Sequence, residues 1–312
     1  MKKPNIPDGL WPVMLTPFTE DGSKIDYATL EKLVNWYIDN GSDGLFAVCQ
    51  SSEMFFLSAE ERKEYARFVV KTAAGRVPVV ASGHVADDFD TQLRDANEMY
   101  ETGIDALVLL PNRFATQEQT DDDFIVNMDR FLQKLDPAIP LGMYECPYPY
   151  KRVMTPKSIA YCADSGRFCF VKDTCCDMAQ IQAKLDAVHN PDFKIFNANC
   201  ATLLDSMKAG VKGFSGVMAN FHPYLYSYLT KHYKDNDPFI QRLQDFVGIT
   251  SCIECKTYPY CAKIYLHKYE IPSFNTSLRS LDPSGMPSSV NWELDSLYRL
   301  SQEMKAEIEA RA

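Results

Sequence analysis

The sequence predicts an α/β protein of the (β/α)8 barrel class, a TIM barrel with additional helices at its C-terminal end. Three observations predict it. Eight short apolar runs recur up to about residue 235, a helical pattern follows each, and no linker or shift in composition separates them. This succession favours a closed barrel over an open doubly wound sheet. The 312 residues exceed one average domain of about 150, but α/β barrels of 200 to 250 residues form single domains. Residues 1–235 are therefore assigned to the barrel carrying the active site, and 236–312 to a helical extension packed on its side.

In order, the runs are Gly9 to Phe18, Gly44 to Cys49, Val77 to Gly83, Ala106 to Pro111, Ile139 to Pro147, Phe168 to Thr174, Phe193 to Asn199 and Gly213 to Phe221. They are rich in Val, Phe and Ile and nearly continuous rather than alternating, as strands buried on both faces are. After Asp26, the residues Leu30, Leu33, Val34, Tyr37 and Ile38 repeat at helical spacing, and Gly41 supplies a stop. Ser58 with Glu61 makes a capping box. Thr155 before Pro156 reads as an N-cap with proline at the first helical position. Beyond about residue 237 the strands stop, and two or three helices follow, with a proline-rich interruption from Ile271 to Ser289.

Composition narrows the function. A net charge of −10 repels a phosphate backbone, and no run of Lys and Arg offsets it, so a nucleic-acid partner is not expected. The start, MKKPNIPDGLW, lacks the apolar stretch of about 7 to 15 residues that a signal peptide needs. No uncharged run approaches the roughly 18 residues that span a bilayer, so no membrane partner is expected. The ten cysteines fall well below the composition of disulfide scaffolds and read as reduced thiols in a cytoplasmic protein. The loop after the first run has no G-x-G-x-x-G, which leaves dinucleotide binding without support.

Function in such a barrel sits at the C-terminal ends of the strands. Lys172 lies near that end of the sixth run, in the segment FCFVKDT. Strand parity turns Val171 and Asp173 away from it, so an inward Lys172 has no carboxylate from its own strand. Desolvation then lowers its pKa. Only about 0.04% of an ordinary lysine is neutral at pH 7, so each unit of depression gives about tenfold more nucleophile, able to form an imine with a carbonyl. The same spacing also suits a strand-end lysine that snorkels its ammonium to water. Tyr144 ends the fifth run and is either a proton-transfer group or a core tyrosine. In CQSSE, residues Cys49 to Glu53, the hydroxyls and amides of Ser51 and Ser52 suit a carboxylate, or form a polar turn with no ligand. Glu53 reads as a residue that fixes its loop, with a general base as the alternative. Cys252 and Cys255 form a C-x-x-C with no second pair, and the five histidines show no metal-ligand spacing. No metal is expected.

The opening PVMLTPF, the loop CQSSEMFFLS, the YECP and VKDT segments and the GVMAN of the eighth run together resemble the N-acetylneuraminate lyase and dihydrodipicolinate synthase family of pyruvate-dependent class I aldolases. The resemblance covers residues 8 to 235. It implies a Schiff-base lyase acting on a 2-keto acid, with Lys172 as imine lysine, Tyr144 as proton-transfer tyrosine, and Ser51, Ser52, Gln50, Arg113 and Ser215 binding substrate. It implies no cofactor beyond the covalent imine, and a homotetramer or homodimer. Gln50 stands where the family carries a relay threonine or serine, Pro149 where the synthases carry an arginine, and Arg113 in place of their relay tyrosine. These departures argue against lysine-pathway synthase activity. The acidic pair of the sialic acid lyases is replaced by uncharged residues around Asn199 to Ala201. The pocket is expected to draw polar contacts from Gln50, Arg113, Glu145, Asn197 and Asn199, with Arg113 either binding a second carboxylate or making a structural ion pair. The alternatives are 4-hydroxy-tetrahydrodipicolinate synthase or N-acetylneuraminate lyase proper. A rival of another class is a non-catalytic protein that binds keto acids on the same fold.

Overall fold

The computed structural model describes residues 4–311. Eight strands alternate with eight helices: β1 (Gly9–Leu10), α1 (Tyr27–Asp39), β2 (Leu45–Phe46), α2 (Ala59–Ala73), β3 (Val79–Ala81), α3 (Phe89–Tyr100), β4 (Ala106–Leu109), α4 (Asp121–Leu132), β5 (Leu141–Tyr144), α5 (Pro156–Asp164), β6 (Phe168–Asp173), α6 (Met178–Ala187), β7 (Lys194–Asn197), α7 (Leu203–Ala209), β8 (Gly213–Phe214) and α8 (Pro223–His232). Three further helices follow, α9 (Pro238–Thr250), α10 (Tyr260–Tyr265) and α11 (Ser289–Glu309). Each predicted apolar run holds one strand. The predicted caps are in place: Ser58 and Glu61 close their box, and Thr155 accepts from Ser158; Asp26 also caps α1, accepting from the amides of Ala28 and Thr29.

All neighbouring strands are parallel, in the order β1-β8-β7-β6-β5-β4-β3-β2. Closure comes just after β1, where Val13 bridges Phe46 and the Met14 amide donates to the Phe46 carbonyl at 3.0 Å. The other side of β1 needs close backbone approach. Gly9 and Gly213 pair in register, and a Cβ on Gly213 would lie 1.9 Å from the Gly9 carbonyl oxygen. Only glycine fits there. The C-terminal part of the eighth run leaves the sheet as a 3-10 turn, Val217–Asn220, and another, Gln50–Ser52, follows the second run. Those turns build the mouth of the barrel.

Inside, Trp11, Phe170 and Phe196 pack ring against ring with centroids 5.8 to 6.4 Å apart. This aromatic plug forms an apolar floor under the mouth. The C-terminal helices depart from the expected arrangement. α9 and α11 do pack on α8, but Glu254, Cys255, Tyr258, Pro259, Ser280 and Leu281 reach over the mouth and line its cavity. The active end is thus built by both parts of the chain.

Between the sheet and the helix layer, β5 and β6 are tied to α6. Lys184 Nζ donates to Glu145 Oε1 at 2.6 Å and to Asp173 Oδ2, and all three side chains are buried. Burial opposes the Lys184 charge, but the two carboxylates outweigh it and raise its pKa. Removing the shared cation would strand two buried carboxylates. Lys184→Met is therefore expected to lose about 3 to 5 kcal/mol in urea unfolding. A loss below about 1 kcal/mol would contradict this account of how β5 and β6 are held.

Candidate active site

Lys172 and Tyr144 are register partners across β6 and β5. Lys172 is 4% exposed, with Nζ 4.2 Å from the Tyr144 ring centroid and 5.7 Å from that of Phe46. Among the described residues it has no ion pair and no hydrogen bond from Nζ to an oxygen. Burial pushes its pKa down to about 8, against the opposing pull of Cys49, Cys146 and Glu254. The aromatic rings attract an ammonium only weakly by comparison with lost hydration. Parity sends its neighbour Asp173 outward to Lys184, as the strand pattern requires.

Two other buried lysines show what Lys172 lacks. Lys184 is held by two carboxylates. Lys263, on α10, donates to Glu53 Oε1 and to the Ser277 carbonyl, each at 2.7 Å. Burial also lowers Lys263 to about 8, but its nitrogen is fixed between two oxygens. Lys172 alone of the three faces open space. Next to it is a small void of about 10 Å³, lined also by Trp11, Phe46, Phe170, Phe196 and Ser215. Ser215 thus lies deep beside the lysine.

Tyr144 links this floor to the mouth. It lines a cavity of about 450 Å³ together with Gln50, Ser51, Tyr148, Glu254 and Tyr258. Burial raises its phenol well above 10, so it stays protonated at neutral pH. The Ser51 hydroxyl borders the cavity and bonds to Tyr258, on the segment that follows α9. Ser52 does not face a ligand: its hydroxyl donates to the Cys49 carbonyl at 2.7 Å and accepts from the Cys49 amide at 2.9 Å. It shapes the turn instead. Gln50 lines the cavity and accepts from the Cys146 thiol at 3.3 Å.

Glu53 fixes its loop, as its sequence position suggests. Its φ of 59° lies in the left-handed region, and its carboxylate holds Lys263 and the amides of Arg279 and Ser280. The carboxylate thereby anchors the C-terminal segment to the β2 loop.

Several expected pocket contacts fall elsewhere. The Arg113 guanidinium is 2.8 Å from Asp87 and leans on Phe55, which is the structural ion pair rather than a cavity contact. Glu145 faces the helix layer, where it accepts from the amides of Met154 and Thr174 and from Lys184. Asn197 bonds Thr202 and Ser206, and Asn199 accepts from Thr202, so both organise the start of α7. Alternation along β5 and β7 puts Glu145 and Asn197 on the outer face. Sequence reasoning missed Glu254, Tyr258, Lys184 and Lys263. For Lys184 the signal was present, since Asp173 and Glu145 both point outward and need a cation.

Comparisons with known proteins identify the family. The profile of the dihydrodipicolinate synthetase family matches residues 7–266. A 4-hydroxy-tetrahydrodipicolinate synthase from Jannaschia sp. is 29% identical over 217 residues, 70% of this chain and 72% of that protein. One from Pseudomonas putida is 28% identical over 210 residues, 67% and 70% of the two chains. Among solved structures, the synthase of Methylacidiphilum fumariolicum superposes with a TM-score of 0.85 at 19% identity, covering 98% of this chain and 99% of that one. The Acinetobacter baumannii synthase, solved with pyruvate, gives 0.83 at 22% identity over 95% and 99% of the two chains. With a lysine at the end of β6, a tyrosine beside it on β5 and a matching profile over most of its length, the chain belongs to the dihydrodipicolinate synthetase family, whose members are pyruvate-dependent carbon–carbon lyases.

Proposed function

We propose that this protein is a class I aldolase that joins or splits pyruvate and an aldehyde through an imine on Lys172. The observation that carries the reading is a buried lysine with no oxygen partner, set beside a tyrosine at the barrel mouth. A pKa near 8 leaves about a tenth of its amine neutral at pH 7, over a hundredfold more than an ordinary lysine. Lys172 Nζ attacks C2 of the keto acid, and loss of water gives a protonated imine. In the cleavage direction, the C3–C4 electron pair moves into that imine, giving an enamine and an aldehyde. The proton of the C4 hydroxyl passes to Tyr144. A phenol with a raised pKa takes a proton only as it gives up its own, so Tyr144 relays rather than stores it. Ser51 and the amides of its turn suit the keto-acid carboxylate. No metal and no organic cofactor is needed for these steps.

The identity of the aldehyde follows from what lines the cavity. No arginine or lysine is among its described lining residues, and Arg113 is engaged with Asp87. An aldehyde with a second carboxylate finds no cation here. This favours an uncharged, polar aldehyde over the substrate of a lysine-pathway synthase.

Three outcomes test the reading. Incubation with pyruvate and borohydride should give a stable adduct in the intact mass, mapped to Lys172 and absent from Lys172→Ala. No adduct, with pyruvate still bound, would make the protein a keto-acid-binding module instead. The initial rate of imine formation should rise about tenfold per pH unit below about 8 and level off above it, because only the neutral amine attacks. A flat profile from pH 6 to 9 contradicts a lowered pKa. Tyr144→Phe should slow turnover of a pyruvate aldol by roughly 10² to 10⁴ while the trapped adduct still forms. Unchanged turnover removes Tyr144 from the proton path.

A further inference from the structure

The route by which protons leave Tyr144 is closed on one side. Tyr144 shares a hydrogen bond with Cys146, whose thiol donates to Gln50 Oε1 at 3.3 Å. Burial pushes the Cys146 thiol up to about 11, and an amide oxygen does not ionise, so this chain ends without an acceptor. Arg113 is bound to Asp87 and offers no exit either. Of the two carboxylates in the cavity wall, Glu53 is consumed by Lys263 and two backbone amides. The other is Glu254, on the 3-10 turn Ser251–Cys255 after α9. It makes no hydrogen bond or ion pair to another described residue, and it lies within electrostatic reach of Lys172.

We propose that Glu254 is the acid–base residue of this site, exchanging protons with the substrate and with Tyr144 on the cavity side opposite the closed chain. The proposal rests on the imine reading of Lys172. In dehydration, the Glu254 carboxylic acid gives its proton to the C2 hydroxyl, the C2–O bond breaks, and water leaves as the nitrogen lone pair forms C=N. Glu254 is left as a carboxylate facing the protonated imine. It can then take a C3 proton, with the C–H electrons forming the enamine. In cleavage it instead receives the proton that Tyr144 passes on from the C4 hydroxyl. Each sequence returns the acid.

The surroundings suit this alternation. Burial pushes Glu254 up to about 7, with the charge of Lys172 pulling the other way. Other titratable groups within its electrostatic reach include Cys176, Cys200, Tyr226 and Cys261. All four are held above their ordinary values, chiefly by burial, and stay neutral near pH 7. Lys172 is the one cation among these groups. A carboxyl poised near the working pH is an efficient general acid and base.

Exchange of the pyruvate methyl protons in D₂O, followed by proton NMR, reads this step without any aldehyde. Glu254→Gln should lower the exchange rate by roughly 10² to 10⁴ while borohydride still traps pyruvate on Lys172. The limb of the pH–rate profile near 7 should vanish, and the limb near 8 that belongs to Lys172 should stay. Glu254→Asp should keep part of the exchange, with the limb displaced, and serves as the second variant if the amide fails to fold. An adduct together with exchange within about threefold of the unaltered protein and an unchanged profile would overturn the role of Glu254 alone. Failure of the unaltered protein to form the adduct would overturn the imine reading, and this inference with it.

Discussion

Alternation along β6 keeps two opposite charges that are adjacent in sequence from neutralising each other, and the chemistry of the site depends on that separation. Lys172 points into the barrel and Asp173 into the helix layer. Had both faced one way, they would form a buried ion pair and the amine would stay charged. Asp173 is instead satisfied by Lys184, which also satisfies Glu145 from β5. The outer face of these two strands is therefore electrostatically closed and structural. The inner face holds one cation with no oxygen partner, so desolvation acts on it almost unopposed and makes an amine that can attack a carbonyl.

The same division of labour recurs at the mouth. Glu53 and Lys263 form a second buried pair that fastens the C-terminal segment to the β2 loop. Because that segment is fastened, its turn can hold a carboxyl, Glu254, over the cavity without any partner of its own. The net charge of −10 sets a mean field that disfavours an anionic keto acid. On the proposed reading, its carboxylate is met by the Ser51 turn and by the positive charge that develops at the imine. On the same reading, an acidic wall disfavours a second negative charge on the aldehyde.

How much of this was legible in the chain depended on distance along it. Runs, caps and parity are local, so the eight strands, the cap residues and the inward direction of Lys172 and Tyr144 could be read from spacing. Parity also told against Glu145 as a pocket residue, since it alternates with Tyr144, yet chemistry alone had placed it in the pocket. The place of Ser52, and the choice between the two readings of Arg113, turned on competing partners that are not visible in sequence. Cys49 claims the first and Asp87 the second. Glu254, Tyr258 and Lys263 were missed for a different reason. They follow the last strand by 40 or more residues, in segments without periodicity toward the barrel. Only the folded path of the chain over the mouth brings them to the site.

The central claim is that burial, with no oxygen partner among the described residues, lowers the pKa of Lys172, whereas Lys184, just as buried, is held charged by two carboxylates. Site-resolved ¹⁵N NMR of the lysine Nζ groups across a pH titration tests it directly. Lys172 should lose its proton near pH 8, and Lys184 should keep its own above the ordinary lysine value of 10.5. A Lys172 that titrates at 10 or above would contradict the account.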